Sequence, residues 1–479
     1  MRLGDEDGIA LLTAVMASAV LLLMATTALR FTASSGRSAA YSGAKTQAYH
    51  FAEAGVDEAM AILSLPSNNA LDPTLLPASR TDQFRGGTVT WGASLSLLSS
   101  TWTITSTGSV ANPTGPGTRA ASRTLRATVH INPTLTQPLN NPAWNYVYAT
   151  RPASSGCDEI IQQSVSIASP LFVTGNLCLQ NSASIVAGPL VVKGYLDLQQ
   201  KGNIVGSATK KISDAHIGNG CRYQSNGAFH KPCPGASDNV FANVLDAIPT
   251  AVTPPVVYWD AWYRNAMPGP YFPCAQVTGT PPTFDTTPPD GRNGTFSATP
   301  FNLTPSSSYS CKTGGGQLSW DATKHLLTVS GTIFIDGSAY IQNGAVNEYN
   351  GQATLYLSGT FLLKNAKLCA GLSADKSTCD VATWNPNTEL LCIVANGSGG
   401  QVNSWDSIQV VSAFYQGALF ATKSIDTDTT ANVDGPMVGD QVNLGQSVST
   451  SFPTIIQVPV GMPSNPTVYA QPDPPQFSG

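Results

Sequence analysis

The sequence predicts a mainly β chain: a long N-terminal α-helix and a small antiparallel sheet (α+β), followed by a parallel β-solenoid, or β-helix. Three observations carry this. Residues 9–29 form a 21-residue run without a charge, and no proline interrupts the chain before Pro66. Three alternating segments lie between residues 84 and 131. Residues 170–188 and 189–207 repeat each other in tandem, with nine of nineteen positions identical. Composition agrees. Charged residues are 11% of the chain, against about 25% in an ordinary soluble domain, while Gly (43) and Pro (34) are plentiful. The net charge of −5 contains no basic block, so nucleic acid is not an expected partner.

The run at 9–29, IALLTAVMASAVLLLMATTAL, makes roughly 30 Å of helix, enough to cross a bilayer. A secretory signal peptide would carry a basic leader and a shorter apolar core. Here the leader, MRLGDEDG, has one Arg and three acids. A plain signal anchor is a second reading. The third rests on the stretch C-terminal to the run. There Ala44, Ala48, Phe51, Ala52, Gly55, Ala59, Ile62 and Leu63 recur in steps of three and four, one stripe of an amphipathic helix. One helix over 9–64 would be about 80 Å long, with a lipid-facing half and a packing half.

Gly8 followed by Ile9-Ala10-Leu11-Leu12, the uninterrupted span, and Ala52-Glu53-Ala54-Gly55 about forty residues on together resemble the type IV pilin-like proteins, and among them the PilX-type minor pilins. The resemblance covers about 130 residues. It implies a prepilin-type leader at 1–8, cut between Gly8 and Ile9 by a prepilin peptidase, and a pilin-like helix at 9–65. It also implies other pilins as partners. Major pilins carry Glu at the fifth mature position, where it neutralises a neighbour's N-terminal amine; this chain has Thr13. An unneutralised buried ammonium is costly, so the resemblance implies a tip or priming subunit rather than a repeating one. The alternative is a plain membrane anchor with a coincidental Gly8.

The sheet is expected from 87–95 (GTVTWGASL), 101–110 (TWTITSTGSV) and 123–131 (RTLRATVHI), where apolar and polar residues alternate. The turn-rich stretch 111–118 joins the last two. A helix on such a sheet is the headpiece that the resemblance implies for 66–132.

The tandem repeat places a solenoid at 133–479. A unit of about 19 residues with two short alternating strands and glycine or asparagine corners suits one rung, which must stack on others to bury its apolar face. Corner glycines are expected to allow positive φ. The motif V-x-G-x-L-x-L returns at 329–335 (VSGTIFI) and 357–363 (LSGTFLL). Between about 208 and 325 the rhythm breaks, and a Pro/Gly-rich insertion is expected there. It carries Trp259, Trp262 and Tyr263, aromatics that either stack on carbohydrate or plug the interface with the solenoid. The tail QPDPPQFSG reads as extended and mobile.

All nine cysteines lie beyond residue 150, and spacing suggests the pairs Cys157–Cys178, Cys221–Cys233, Cys274–Cys311 and Cys369–Cys379, with Cys392 a buried thiol. The His216, Cys221, His230, Cys233 spacing matches no common zinc site, so a disulfide with bystander histidines is expected. Asp426, Asp428 and Asp434 begin like a calcium loop but lack its glycine and glutamate. No metal or cofactor is therefore expected, and no catalytic motif is found.

These readings combine into a non-enzymatic protein with a single pass through the cytoplasmic membrane and an extracytoplasmic C-terminal domain. It would serve a type IV pilus or related secretion filament, and sit in the membrane or the extracellular pilus. The competing expectation is a membrane-tethered surface solenoid that binds or processes polysaccharide.

Overall fold

The computed structural model describes residues 6–65, 68–96, 99–114, 119–133, 141–249, 251–259, 262, 274–276, 300–312, 315–335, 337–397, 406–445, 448–451, 453, 455, 458–464 and 470–478. The protein is mainly β with one long N-terminal helix. It divides into two compact units: residues 1–132 (less Leu97–Ser99) together with Tyr469–Gly479, and Pro133–Val468 with Leu97–Ser99.

In the first unit, α1 (Glu6–Leu63) is unbroken, about 87 Å long at the usual rise. With no proline in it, nothing removes a backbone donor or forces a kink. Its two halves differ. From Ile9 to Phe31 the large apolar side chains are exposed, whereas Ala44, Ala48, Ala52, Val56, Ala59 and Leu63 are buried. The buried stripe packs on β2 (Gly87–Ser96) and β3 (Thr101–Val110), which lie between β1 (Arg80–Phe84) and β4 (Ala121–Pro133). All three junctions are antiparallel.

Small residues let helix and sheet approach closely. A Cβ on Gly108 would collide with Ala48 O, and one on Gly55 with the Ser106 side chain. Trp91 and Trp102 on the same sheet are buried, Trp102 donating from Nε1 to Ala70 O at 2.7 Å. The polar, exposed β1 was not expected from the sequence. Nor was the fate of the tail: Ala470–Pro472 and Gln476–Ser478 extend the sheet beside β4, and Asn132 Nδ2 donates to Asp473 Oδ1 at 2.6 Å. The tail is thus a paired edge, not a free end, and the solenoid assignment of 133–479 overran by these residues.

The second unit is a β-helix-like stack of mostly parallel strands. Its clearest wall is a ten-stranded sheet whose spatial order gives the topology: Phe301–Asn302, Ala339–Ile341, Phe361–Lys364, Asp406–Val411, Ser424–Asp428, Gln441–Leu444, Glu159–Ile161, Leu177–Leu179, Leu196–Leu198, Cys221–Tyr223. The chain starts in the middle of the stack, winds to one end, crosses to the other, and winds back until Gln441–Leu444 meets Glu159–Ile161. The tandem repeat makes two successive coils. Leu171 pairs with Leu190 and Leu177 with Leu196, each nineteen residues on. The third strand slips by one: Ser184 pairs with Ile204 and Ile185 with Val205. That slip keeps Ile185 and Val205 both buried, because side-chain direction alternates with every residue.

Two corner expectations hold only in part. Gly175, Gly194 and Gly359 do not use positive φ. They are small because successive coils touch there: a Cβ on Gly194 would collide with Asn176 Oδ1 and lie 2.5 Å from Gly175 O. Other glycines at this corner, among them Gly220, Gly337 and Gly397, do take positive φ; at the next corner it is taken by Gly344 and by Gln163, Ser164, Asn181, Ser182, Asn365, Ser412, Thr429 and Thr430. The VSGTIFI match is also out of place. Gly331 lies at a bend inside Leu326–Ile335, while Gly359 in LSGTFLL opens the wall strand Phe361–Lys364.

The rhythm does not break at 208. Ile212–Ile217 pairs in parallel with Leu190–Val192, and Cys221–Tyr223 with Leu196–Leu198. Ala242–Asp246 covers that end of the stack by pairing with Ile212–Ile217. At the opposite end Tyr309–Lys312 and Gly316–Asp321 pair antiparallel onto Leu326–Ile335, the strand that itself pairs in parallel with Gln352–Leu357. Stacked repeats need such caps, because an exposed edge pairs with other chains.

Candidate functional site

The N-terminal candidates lie on α1. Gly8 and Ile9 are within the helix, and Ile9 is exposed. Thr13 Oγ1 donates to Ile9 O and Ala10 O, both at 2.9 Å, and Ser18, Thr26, Thr27 and Thr32 bond back to their own helix in the same way. Each hydroxyl in the apolar stretch therefore finds its acceptor without water. The helix is a candidate membrane span by length and composition.

The sulfur candidates lie in the second unit. Cys157 is joined to Cys178, Cys221 to Cys233, and Cys369 to Cys379. Cys311 is disulfide-bonded, and the backbone register sets Cys274 opposite it. Cys392 is a buried free thiol, its pKa pushed up by burial. With its two cysteines bonded to each other, the His216/His230 cluster offers no thiolate. His216 Nδ1 lies 2.7 Å from Asp246 Oδ1, and His230 Nδ1 lies 2.8 Å from Asp238 Oδ2.

The aspartates of the 426–434 run lie on different strands: Asp426 and Asp428 on Ser424–Asp428, Asp434 on Asn432–Asp434. Asp434 is buried and accepts from Ser451 Oγ at 2.7 Å, with its pKa raised by burial. Among the described residues no three His, Cys, Asp or Glu side chains converge on a metal position.

Trp259 is not an exposed stacking platform. It is buried, edge-on to Phe334 and Tyr356 with ring centroids 6.3 and 5.6 Å away, while the half-buried Trp262 stacks on Tyr356 at 5.8 Å. Tyr263 lies outside the described residues. Residues 251–259 and 458–464 run together over the outer face of the parallel strands, joined by Val256 N to Ser464 O at 3.0 Å. Beneath them aromatic residues turn polar tips to strap carbonyls: Tyr148 Oη donates to Val252 O, Tyr356 Oη to Gly461 O and Trp144 Nε1 to Pro463 O. Of the two roles left open for these aromatics, plugging the parent interface describes Trp259. A cleft of about 370 Å³ remains between Pro254, Pro255 and Val257 on the strap and Phe420 and Val438 on the strands.

Two features were not visible in the sequence. Glu159 is buried where the last coil meets the first. Its Oε2 accepts from Val442 N at 3.0 Å, Oε1 has no partner among the described residues, and burial raises its pKa to about 8. The second is an open groove of about 550 Å³ across four consecutive coils, formed by residues 344–346, 365–367, 412–414, 430 and 432, with Thr378 on its wall. Its signal in the sequence is slight: Phe414 is an aromatic in a strand slot that other coils fill with Val, Lys, Asn or Ser.

Compared with protein-family models, curated proteins and solved structures, the chain has no match.

Proposed function

We propose that this chain is a pilin-like membrane protein, a tip or priming component of a type IV pilus or related secretion filament, which displays its second unit outward for surface contact without catalysis. The observation that carries the reading is the single helix Glu6–Leu63, bare and apolar over its first half and packed on an antiparallel sheet over its second. One rod of this kind suits both lipid or filament packing and a folded headpiece. The second unit is read as a parallel β-solenoid, and its disulfides favour an oxidising, extracytoplasmic compartment. Thr13, where repeating pilins carry Glu, supports a position at an end of the filament, where no neighbour's amine needs its charge.

Mass spectrometry of the N-terminus tests this. The expected product starts at Ile9 after cleavage behind Gly8, in a host with its prepilin peptidase, and a peptidase-null host leaves the leader attached. An intact Met1 in the wild-type host, or removal of the whole apolar run, overturns the filament reading. The second reading, a membrane-tethered surface solenoid that binds polysaccharide, is favoured by the groove across the four coils.

A further inference from the structure

We infer that the groove formed by residues 344–346, 365–367, 412–414, 430 and 432 is a binding site for an extended, uncharged polysaccharide. The inference does not depend on the filament reading; with the tethered reading it shares the ligand class and supplies the site.

The floor of the groove is a row of outward-facing strand residues, one per coil. Val346 pairs with Lys367, Lys367 with Phe414, and Phe414 with Asn432. Strand pairing sets neighbours about 4.8 Å apart, so the four side chains form a line roughly 14 Å long. Phe414 is only half-buried and stands in the middle of this line. On one flank the corner residues Asn365 and Ser412 are held at positive φ, and among the described residues no hydrogen bond occupies their side chains. On the other flank the loop closed by Cys369–Cys379 supplies Thr378. Lys367 Nζ donates to Ser377 O at 2.8 Å and ties that loop to the floor.

The chemistry selects the ligand. An apolar ring face beside hydroxyl and amide groups matches a sugar, whose C–H face stacks while its hydroxyls donate and accept. Repetition of the polar groups at the strand spacing suits a chain rather than a single small molecule. Among the described residues no carboxylate lines the groove, and the one ammonium there, Lys367 Nζ, already donates to a backbone carbonyl. Nucleic acid or an acidic glycan would need several cations. A peptide added as a strand needs a free backbone edge, but the strand Phe414–Gln416 is paired on both sides. The wall is stapled by a disulfide and the floor is sheet, so the site is formed in advance, which limits the ordering cost of binding.

The test is affinity electrophoresis of the purified full chain in detergent micelles, through gels containing soluble mixed-linkage β-glucan, mannan, galactan or dextran. Polygalacturonate and no polymer complete the set. Retardation is expected in at least one neutral gel. Phe414→Ala should weaken it by about tenfold, Phe414→Tyr should keep it, and Thr378→Arg, on the exposed loop, should abolish it by filling the groove. Thermal melts identify any variant that has lost its fold; if Phe414→Ala does, Thr378→Arg decides alone. Retardation by polygalacturonate only, by no polymer, or undiminished in Thr378→Arg overturns the assignment. An intact Met1 leaves this result untouched, and a failure to bind glycan leaves N-terminal processing untouched, so the two readings fail separately.

Discussion

Two coil-to-coil junctions in the second unit show how differently the same architecture can be closed. Between the tandem repeats, Leu171–Val173 pairs with Leu190–Val192 and Leu177–Leu179 with Leu196–Leu198, three residues in each ladder. Between the last coil and the first, Met437–Gly439 still pairs with Val147–Ala149 over three residues, but the other wall keeps only Leu444 with Ile161. Side chains stand in for the missing ladder: Glu159 Oε2 takes the Val442 N–H, and Gln441 Nε2 donates to Asp158 O. The first junction joins segments nineteen residues apart, the second segments nearly three hundred apart. A duplicated sequence supplies its own matching backbone, whereas a closure made by distant segments has been patched with buried polar groups.

The patch should respond to pH, and this is the largest effect expected. The Glu159 carboxyl, raised to about 8 chiefly by burial, faces Arg151, Asp440 and Asp158. Protonated, it contributes stability that is complete below the ordinary carboxyl range. That stability is lost as pH rises through about 8, since the unfolded chain ionises first. The loss between pH 4.5 and pH 8 should be on the order of 4 kcal/mol. Glu159→Gln removes this titration while keeping an acceptor for Val442 N–H. Other raised groups, such as Asp434, titrate in both proteins and cancel in the difference. The gap between denaturant midpoints at pH 5 and pH 8 should therefore be smaller in the variant than in the wild type. Equal pH slopes would mean the seam is not held by this carboxyl.

At the repeat junction the sensitive point is steric. Gly194 N donates to Gly175 O at 3.0 Å, and any Cβ there meets the backbone of the preceding coil. Gly194→Val should cost about 3 kcal/mol, with no dependence on pH. Gly156→Ala, where nothing lies within 4 Å, should change little. A thermal melt comparing the two separates close approach from a general intolerance of side chains. If Gly194→Val melts with the wild type, the coils are not stacked in this register.

Legibility in the sequence divides along the same line. The helix announced itself by an absence of proline and a stripe of small residues, and the repeat by identity in tandem. Local regularities of that kind survive in one sequence. The tail strands did not: QPDPPQF is polar and proline-rich, and its partner β4 lies some 350 residues away. Ile212–Ile217 passed for part of the insertion because its polar positions, exposed Ser213 and half-buried Asp214 and His216, hide the coil pattern. Glu159 occupies a slot that the next coils fill with Leu177 and Leu196, so nothing nearby marks it as buried. The groove assembles unremarkable turn residues from four coils, and only stacking makes them a surface. Sequence reasoning found pairs of segments that resemble each other and missed pairs that merely meet.

The corner of positive φ offers the finest comparison between the two halves of the stack. In the repeat half it is built with Asn181 (φ 51) and Ser182 (φ 68); near the seam, with Thr429 (φ 53) and Thr430 (φ 61). Asn accepts the left-handed region readily, whereas a β-branched side chain crowds its own backbone there. Thr429 is exposed, and its N–H already donates to Asp428 Oδ1 at 2.7 Å, so a change at this position leaves that bond in place. Thr429→Asn should stabilise the unit by about 1 kcal/mol, and Asn181→Thr should destabilise it by a similar amount. In a unit of this size each should move the melting midpoint by about 2 °C, in opposite directions. Opposite shifts would show that one corner geometry is repeated on both sides of the seam. Shifts of the same sign would show that the far coils turn differently and that the correspondence ends at the seam.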